Sequence, residues 1–270
     1  MQQSDWVPDE VLLDRPNVAR MWDYFLGGGH NFAIDRQAAE QAIGLYPDLP
    51  LVAQVTRAFL GRAVRFALSQ GVDQFLDIGS GIPTANSVHE IAQRITPGAR
   101  VAYVDIDPVA VAHSKAILGA TANTIAVRAD ARRPHEIVQH PEVRAALDWD
   151  RPIAALAIAL LHFVPDDEEA ASILRVVRDA MPSGSYFALT HATADAVDRA
   201  RADEGEQLYS RTSAQLHFRT REQVAGLFEG FELVEPGLVL LPVWRPETDH
   251  DLLLDQPERS ANYAGVGRKL

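Results

Sequence analysis

The chain has 270 residues, enough for one large α/β domain with a small accessory part. Its 37 Asp and Glu against 25 Lys and Arg give a formal charge of −12, which argues against broad binding of a phosphate backbone. There is no cysteine, so disulfides, thiolate nucleophiles and cysteine-ligated zinc are excluded.

Met1 to Pro16 is polar and acidic, without the basic start and apolar core of a signal peptide. No apolar run approaches the ~20 residues of a membrane span, so the cytoplasm is the expected compartment. Asn17 can cap a helix whose stripe is Val18, Met21, Trp22 and Phe25. Gly27-Gly28-Gly29 ends it, His30-Asn31-Phe32 follows, and Asp35 is placed to cap the next helix through Ala38, Ala39, Ala42 and Ile43. The three glycines serve either as a spare-length helix C-cap or as a close backbone approach to a ligand. A third helix is expected from about Leu51 to Ser69.

The central stretch runs from Gln74 to Thr84. Phe75, Leu76 and Ile78 form a buried strand, Gly79-Ser80-Gly81 a sharp turn, and Val88, Ile91, Ala92 and Ile95 the stripe of a helix capped by Asn86 or Thr84. Strand, glycine turn and helix make a nucleotide-type crevice. A dinucleotide fingerprint would carry a third glycine where Thr84 stands, and Pro83 stiffens the turn. Asp77 closes the strand just before the turn. Arg100–Asp105 is the second strand, and Asp105 at its end is placed to accept from ribose hydroxyls. Asp107-Pro108 opens a helix to about Leu118, with Asp107 either capping or sharing the ribose. Thr124–Arg128 is the third strand and leads to Asp130. Three acids thus stand at three successive strand ends, on the edge where open α/β sheets bind ligands.

Ile153–Leu161 reads as a central strand buried on both faces, ending in His162-Phe163. Asp166 to Glu169 fills the first turn of a helix and gives no metal-ligand set. Ser185–Thr190 is the fifth strand, followed by His191. Thr193–Leu208 is expected to be a surface helix, Thr220 to Gln223 a capping box, and Phe231–Glu235 with Leu238–Val243 two closing strands. From Pro246 the tail is polar and expected to pack loosely on the core.

Asp77-x-Gly79-x-Gly81 resembles motif I of class I S-adenosylmethionine (SAM) methyltransferases. Pro16 to Gly28 with Asn31-Phe32 and Asp35-Arg36, Pro182 to His191, and Tyr263 to Lys269 together resemble a bacterial family of S-adenosyl methyltransferases without assigned substrate. The resemblance implies a Rossmann-like sheet of seven strands, ordered 3-2-1-4-5-7-6 with the last antiparallel. It implies a helical lid over residues 1–70, a SAM-binding core over 71–245 and a packed tail over 246–270. The cofactor residues it implies are Tyr24, Gly27, His30 and Asn31 in the lid, Asp77, Gly79, Ser80, Gly81 and Thr84 at the turn, Asp105 and Ile106, Asp130 and Ala131, and Leu161. Asp77 would help to hold the cationic amino-acid end and Asp130 the adenine amino group.

Methyl transfer from a sulfonium is largely positioning, with an optional general base. His162 is the first candidate, His191 and His30 the others, and Tyr24 could orient the acceptor. The chain lacks the Asn/Asp-Pro-Pro-aromatic motif of exocyclic-amine nucleic acid methylation, and its missing cysteine excludes attack at cytosine C5. A small-molecule acceptor, with no nucleic acid and no membrane, is therefore expected. A SAM- or S-adenosylhomocysteine-binding sensor without catalysis is the main alternative, and an NAD-dependent oxidoreductase a distant one.

Overall fold

The computed structural model describes residues 14–83, 86–119, 121 and 123–270. In chain order, α1 (Val18–Phe25), α2 (Ala33–Leu45) and α3 (Leu49–Ser69) precede β1 (Gln74–Ile78). Then come α4 (Val88–Ile95), β2 (Arg100–Asp105), α5 (Pro108–Leu118) and β3 (Thr124–Arg128). The short helices α6 (Pro134–Val138) and α7 (Pro141–Ala146) lead to β4 (Ala154–Ala157), α8 (Asp167–Ala180) and β5 (Tyr186–Ala192). The chain closes with α9 (Arg199–Tyr209), α10 (Arg221–Gly226), β6 (Phe231–Leu233), β7 (Val239–Leu240) and β8 (Asn262–Lys269).

The sheet runs β3-β2-β1-β4-β5-β8-β6, with β7 paired to β8 off that path. β1 to β5 are mutually parallel where they pair, and β8 is antiparallel to β5, β6 and β7. This is the expected Rossmann-like order with one extra short strand. The place expected for Leu238–Val243 is taken by the tail: β8 inserts between β5 and β6, and Tyr263 to Gly267 is buried. Its two glycines explain why so poor a strand former sits there. A Cβ at Gly267 would lie 2.7 Å from Phe231 Cβ, and one at Gly265 3.0 Å from Phe228 Cζ.

One apolar layer gathers Leu76, Val104, Ile153, Ile173 and Phe187 on one face of the sheet. Phe59, Val64, Phe75, Val101 and Trp244 form the layer on the other. Both faces being covered accounts for strands that are apolar throughout. A smaller cluster of Met21, Phe25, Ala39, Ala42 and Tyr209 binds α1 and α2 to α9. Among the described residues, no helix is long and apolar enough to cross a membrane.

Local differences from the sequence reading have physical causes. β4 stops at Ala157 because Ala159 takes a positive φ of 54° and donates its N–H to Thr190 Oγ1 at 2.8 Å. Asp35 is not the N-cap of α2; it lies in the first turn and caps from there, reaching back to the N-cap residue Phe32. Its carboxylate accepts from Asn17 N at 2.8 Å, Phe32 N at 2.9 Å and Arg20 Nε at 2.8 Å, locking α1 to α2. Ser87, not Asn86, precedes α4, and Glu90 Oε2 accepts from its N–H at 3.1 Å. Thr84 lies outside the described residues. The helix expected from Thr193 begins at Arg199, where Asp198 caps it.

Candidate active site

A cavity of about 620 Å³ opens at the carboxyl edge of the parallel strands. Its floor is the end of β1 and the turn behind it: Asp77, Ile78, Gly79, Ser80, Gly81 and Ile82. Gly79 and Gly81 have φ of +71° and +63°, conformations that favour glycine. A Cβ on Gly79 would also meet Leu160 Cδ1 at 2.6 Å, so the turn is closed against the end of β4. Ser80 Oγ is buried without a hydrogen-bond partner.

The end of β2 is tied to that turn. Asp105 Oδ2 accepts from Gly81 N at 2.7 Å, and Oδ1 from Asp107 N at 2.8 Å. Asp107 is a cap: its Oδ1 accepts from Val109 N at 2.6 Å and Ala110 N at 3.3 Å. Ile106, Asp130 and Ala131 continue the wall, with Ile106 49% exposed beside the mouth. Asp130 is held by Arg132, whose Nη2 lies 2.7 Å from Oδ2.

The opposite wall comes from α1 and α3 and from the loop after α9: Asn17, Arg20 and Trp22, then Thr56, Arg57 and Leu60, then Thr212 to Gln215. Arg20 is buried and bridges two elements, with Nε 2.8 Å from Asp35 and Nη1 3.6 Å from Asp107. The loop is strapped to the N-terminal segment, since Ser213 N donates to Pro16 O at 2.8 Å and Val18 N to Ser213 Oγ at 3.1 Å.

Eight of the expected site residues line this cavity: Asp77, Gly79, Ser80, Gly81, Asp105, Ile106, Asp130 and Ala131. Tyr24, Gly27, His30 and Asn31 do not. Tyr24 donates its hydroxyl to Glu40, and the glycine loop folds around Asp23 instead. Asp23 Oδ2 accepts from His30 N and Asn31 Nδ2, both at 2.8 Å, and a Cβ on Gly28 would sit 2.1 Å from Asp23 Oδ1. Leu161 is wholly buried behind the cavity, which its neighbours Ile158, Ala159 and Leu160 line.

His162 and His191 also stand behind the wall rather than in it. Arg219 Nη1 lies 2.8 Å from His191 Nε2, and a guanidinium only donates. His191 Nε2 is therefore the acceptor, and Nδ1 carries the proton that it donates to Ala192 O at 2.7 Å. Burial first, then neighbouring positive charge, holds His162 well below the usual imidazole range and His191 down at about 3. Both are neutral core groups that fix the end of β4, and neither reaches the cavity.

Arg20 and Arg57 escaped the sequence reading. Nothing in the local sequence marks either cation as part of a site. The acids at the sheet edge are strongly perturbed. Burial pushes Asp77 up to about 7, against the pull of Arg57 and with a further push from Asp105. Burial pushes Asp105 up to about 6, against donation from the backbone of Asp107 and Gly81. Two buried carboxyls that resist ionisation mark a site built for a positively charged or hydrogen-bond-donating ligand.

A family model described as S-adenosyl methyltransferase matches residues 4–270. The chain belongs to this family. A crystal structure of a methyltransferase candidate from Thermobifida fusca YX is similar at 37% identity and a TM-score of 0.90, over 98% of this chain and 99% of that one. A DUF574 family protein from Streptomyces avermitilis MA-4680 is similar at 36% identity and a TM-score of 0.89, over 95% and 98%. No curated protein matches the chain. The cofactor of the family is SAM, and the residues present suit it. Open space stands where a Cβ on Gly81 would lie, Ser80 Oγ is unpartnered, and acids stand where a cationic and hydroxyl-bearing ligand needs acceptors.

Proposed function

We propose that the chain transfers a methyl group from SAM to an oxygen or nitrogen of a small molecule. In this assignment Asp105 accepts from the ribose hydroxyls, Ile106 packs against the adenine, Asp130 accepts from its amino group, and Asp77 faces the amino-acid end. The observation that carries the proposal is the continuity of the cavity. The same space runs from the acidic strand ends to a second wall of Trp22, Phe163 and Gln215, which is aromatic and polar. That wall suits a planar acceptor of modest size, laid against aromatic faces and oriented by hydroxyl and amide groups.

The bound cofactor supplies an already activated methyl group on a sulfonium. The chain's own part is to hold both partners in line and to keep water out. Among the described residues no histidine lines the cavity, so proton removal does not fall to His162. This same absence supports a second reading, a protein that binds SAM and its product without turnover.

The test is to incubate the protein with SAM and a panel of phenols, catechols and amines and to follow S-adenosylhomocysteine by mass spectrometry. Acceptor-dependent product with a matching mass gain of one methyl group on the acceptor supports the transferase. Tight binding of SAM and its product, with no acceptor raising turnover, favours the binding protein.

A further inference from the structure

We propose that Asp23 is the general base of the transfer, taking the proton of the acceptor's hydroxyl or amine and passing it to His30, whose ring reaches the surface. This assignment rests on the methyltransferase reading and adds to it a catalytic residue and a proton exit.

Asp23 lines the cavity from α1, next to the Trp22 of the aromatic wall. It is only 2% exposed. Its two oxygens are treated differently. Oδ2 accepts from His30 N and Asn31 Nδ2, both at 2.8 Å. Asn31 is itself oriented by Arg36, whose Nη1 lies 3.1 Å from Asn31 Oδ1, so the plane of the Asp23 carboxylate is fixed. Oδ1 is buried without a hydrogen-bond partner. A carboxylate that served only to pin the glycine loop would gain by pairing that oxygen as well, since a buried acceptor without a donor costs stability. His30 Nδ1 stands 3.9 Å from Oδ1, and the His30 side chain is 40% exposed. That gap is longer than a hydrogen bond, as catalytic contacts commonly are before the acceptor is in place. Gly27 and Gly29, with open space where a Cβ would lie, give the loop room to shorten it. The His30 ring rests on His113 of α5, with ring centroids 3.9 Å apart. Burial, then the neighbouring His30, holds His113 below the usual imidazole range against the pull of Asp23, so the outer ring is the one that carries the proton away.

The step balances without a further reactant. The acceptor's oxygen or nitrogen forms a bond to the methyl carbon, the carbon–sulfur bond breaks, and its electron pair stays on sulfur. The acceptor's proton goes to Asp23 Oδ1, from there to His30 Nδ1, and from the half-exposed ring to solvent. The other acids of the cavity are committed elsewhere. Asp77, Asp105 and Asp130 are assigned above to the cofactor, and Asp107 caps α5 and meets Arg20. Glu169 lies in the field of Arg132, towards the end of β3. A carboxylate fixed by two donors and shielded from water is a useful base only if its proton can leave again, and His30 supplies that route.

The experiment takes the phenol, catechol or amine that the wild-type protein methylates fastest and compares wild type, D23N and H30A, with thermal unfolding as the check of folding and calorimetry with S-adenosylhomocysteine as the check of the cofactor site. D23N keeps an oxygen for the two donors on Oδ2 and removes the base. Its kcat should fall roughly 10²- to 10⁴-fold, the usual contribution of a positioned base, while S-adenosylhomocysteine binds as in the wild type. H30A should slow by about 10-fold or more, and added imidazole should restore most of the lost rate, because a free base can take the proton from Asp23 where the ring is missing. A loss from disturbed loop structure would not respond to imidazole. A folded D23N with wild-type kcat, or an H30A variant that keeps its full rate or loses it without rescue, overturns the relay and leaves methyl transfer standing. If D23N fails to fold, the imidazole response of H30A alone decides. Wild-type protein that binds S-adenosylhomocysteine and methylates nothing in the panel overturns the transferase reading, and the relay with it.

Discussion

The two walls of the cavity carry charge in opposite ways. On the helical wall Arg20 is buried against Asp35 and Asp107, and each of those acids also accepts from backbone N–H groups. Around Arg20 the charges of that wall are matched. On the sheet edge Asp77 and Asp105 are buried together and resist ionisation, held down only in part by Arg57 and by backbone donors. Arg20 and its two acids hold the fold, whereas the sheet edge keeps carboxyls that a ligand would complete. The difference separates residues that build the site from residues that read what enters it.

The largest effect should come from the helical wall. Arg20→Met leaves Asp35 and Asp107 buried without their cation, and urea unfolding should show a loss of about 3–5 kcal/mol. A variant of unchanged stability that only binds ligand more weakly would erase the distinction between the walls. On the open edge, Asp105→Ala should weaken S-adenosylhomocysteine binding by roughly 1–3 kcal/mol, the cost of lost charge-assisted hydrogen bonds, as read by calorimetry. Unchanged affinity in a folded variant would remove Asp105 from the site.

Asp77→Asn sharpens the comparison through pH. The folded protein keeps the Asp77 proton to about pH 7, whereas the unfolded chain releases it in the ordinary carboxylate range. Below that range both states are protonated and the group is neutral to stability. Between about pH 4 and pH 7 only the unfolded chain ionises freely, so ligand-free stability contributed by this group falls as pH rises. The Asn variant should lack this decline and unfold at a higher temperature than the wild type at pH 8, while gaining less from added SAM. Equal melting temperatures across that window would mean that Asp77 is not an uncompensated charge. The smallest effect is expected at Tyr24. Its hydroxyl meets Glu40 away from the cavity, so Tyr24→Phe should leave ligand affinity and turnover unchanged within error; a clear loss of either would return Tyr24 to the site.

The same contrast explains what could be read in the sequence. Asp77, Gly79, Gly81 and Asp105 announce themselves because strand, turn and helix fix their places locally, and the sheet order is what the family resemblance implies. The helical wall depends on contacts far apart in the chain. Nothing local to Arg20 points to Asp107, and the strap from Ser213 to Pro16 joins segments nearly two hundred residues apart. The tail misled for a related reason. Gly265 and Gly267 weaken any strand signal, and their purpose appears only when Phe228 and Phe231 are seen lying over them. Tyr24, His30 and Asn31 drew attention as polar residues in a distinctive motif, yet that motif folds around Asp23.

The most direct measurement is a crystal structure of the protein grown with S-adenosylhomocysteine. The account predicts the ribose hydroxyls within hydrogen-bond distance of Asp105, the adenine against Ile106 and Asp130, and the amino-acid end beside Asp77. A ligand bound elsewhere, or lying in this cavity with its ribose turned away from Asp105, would contradict it.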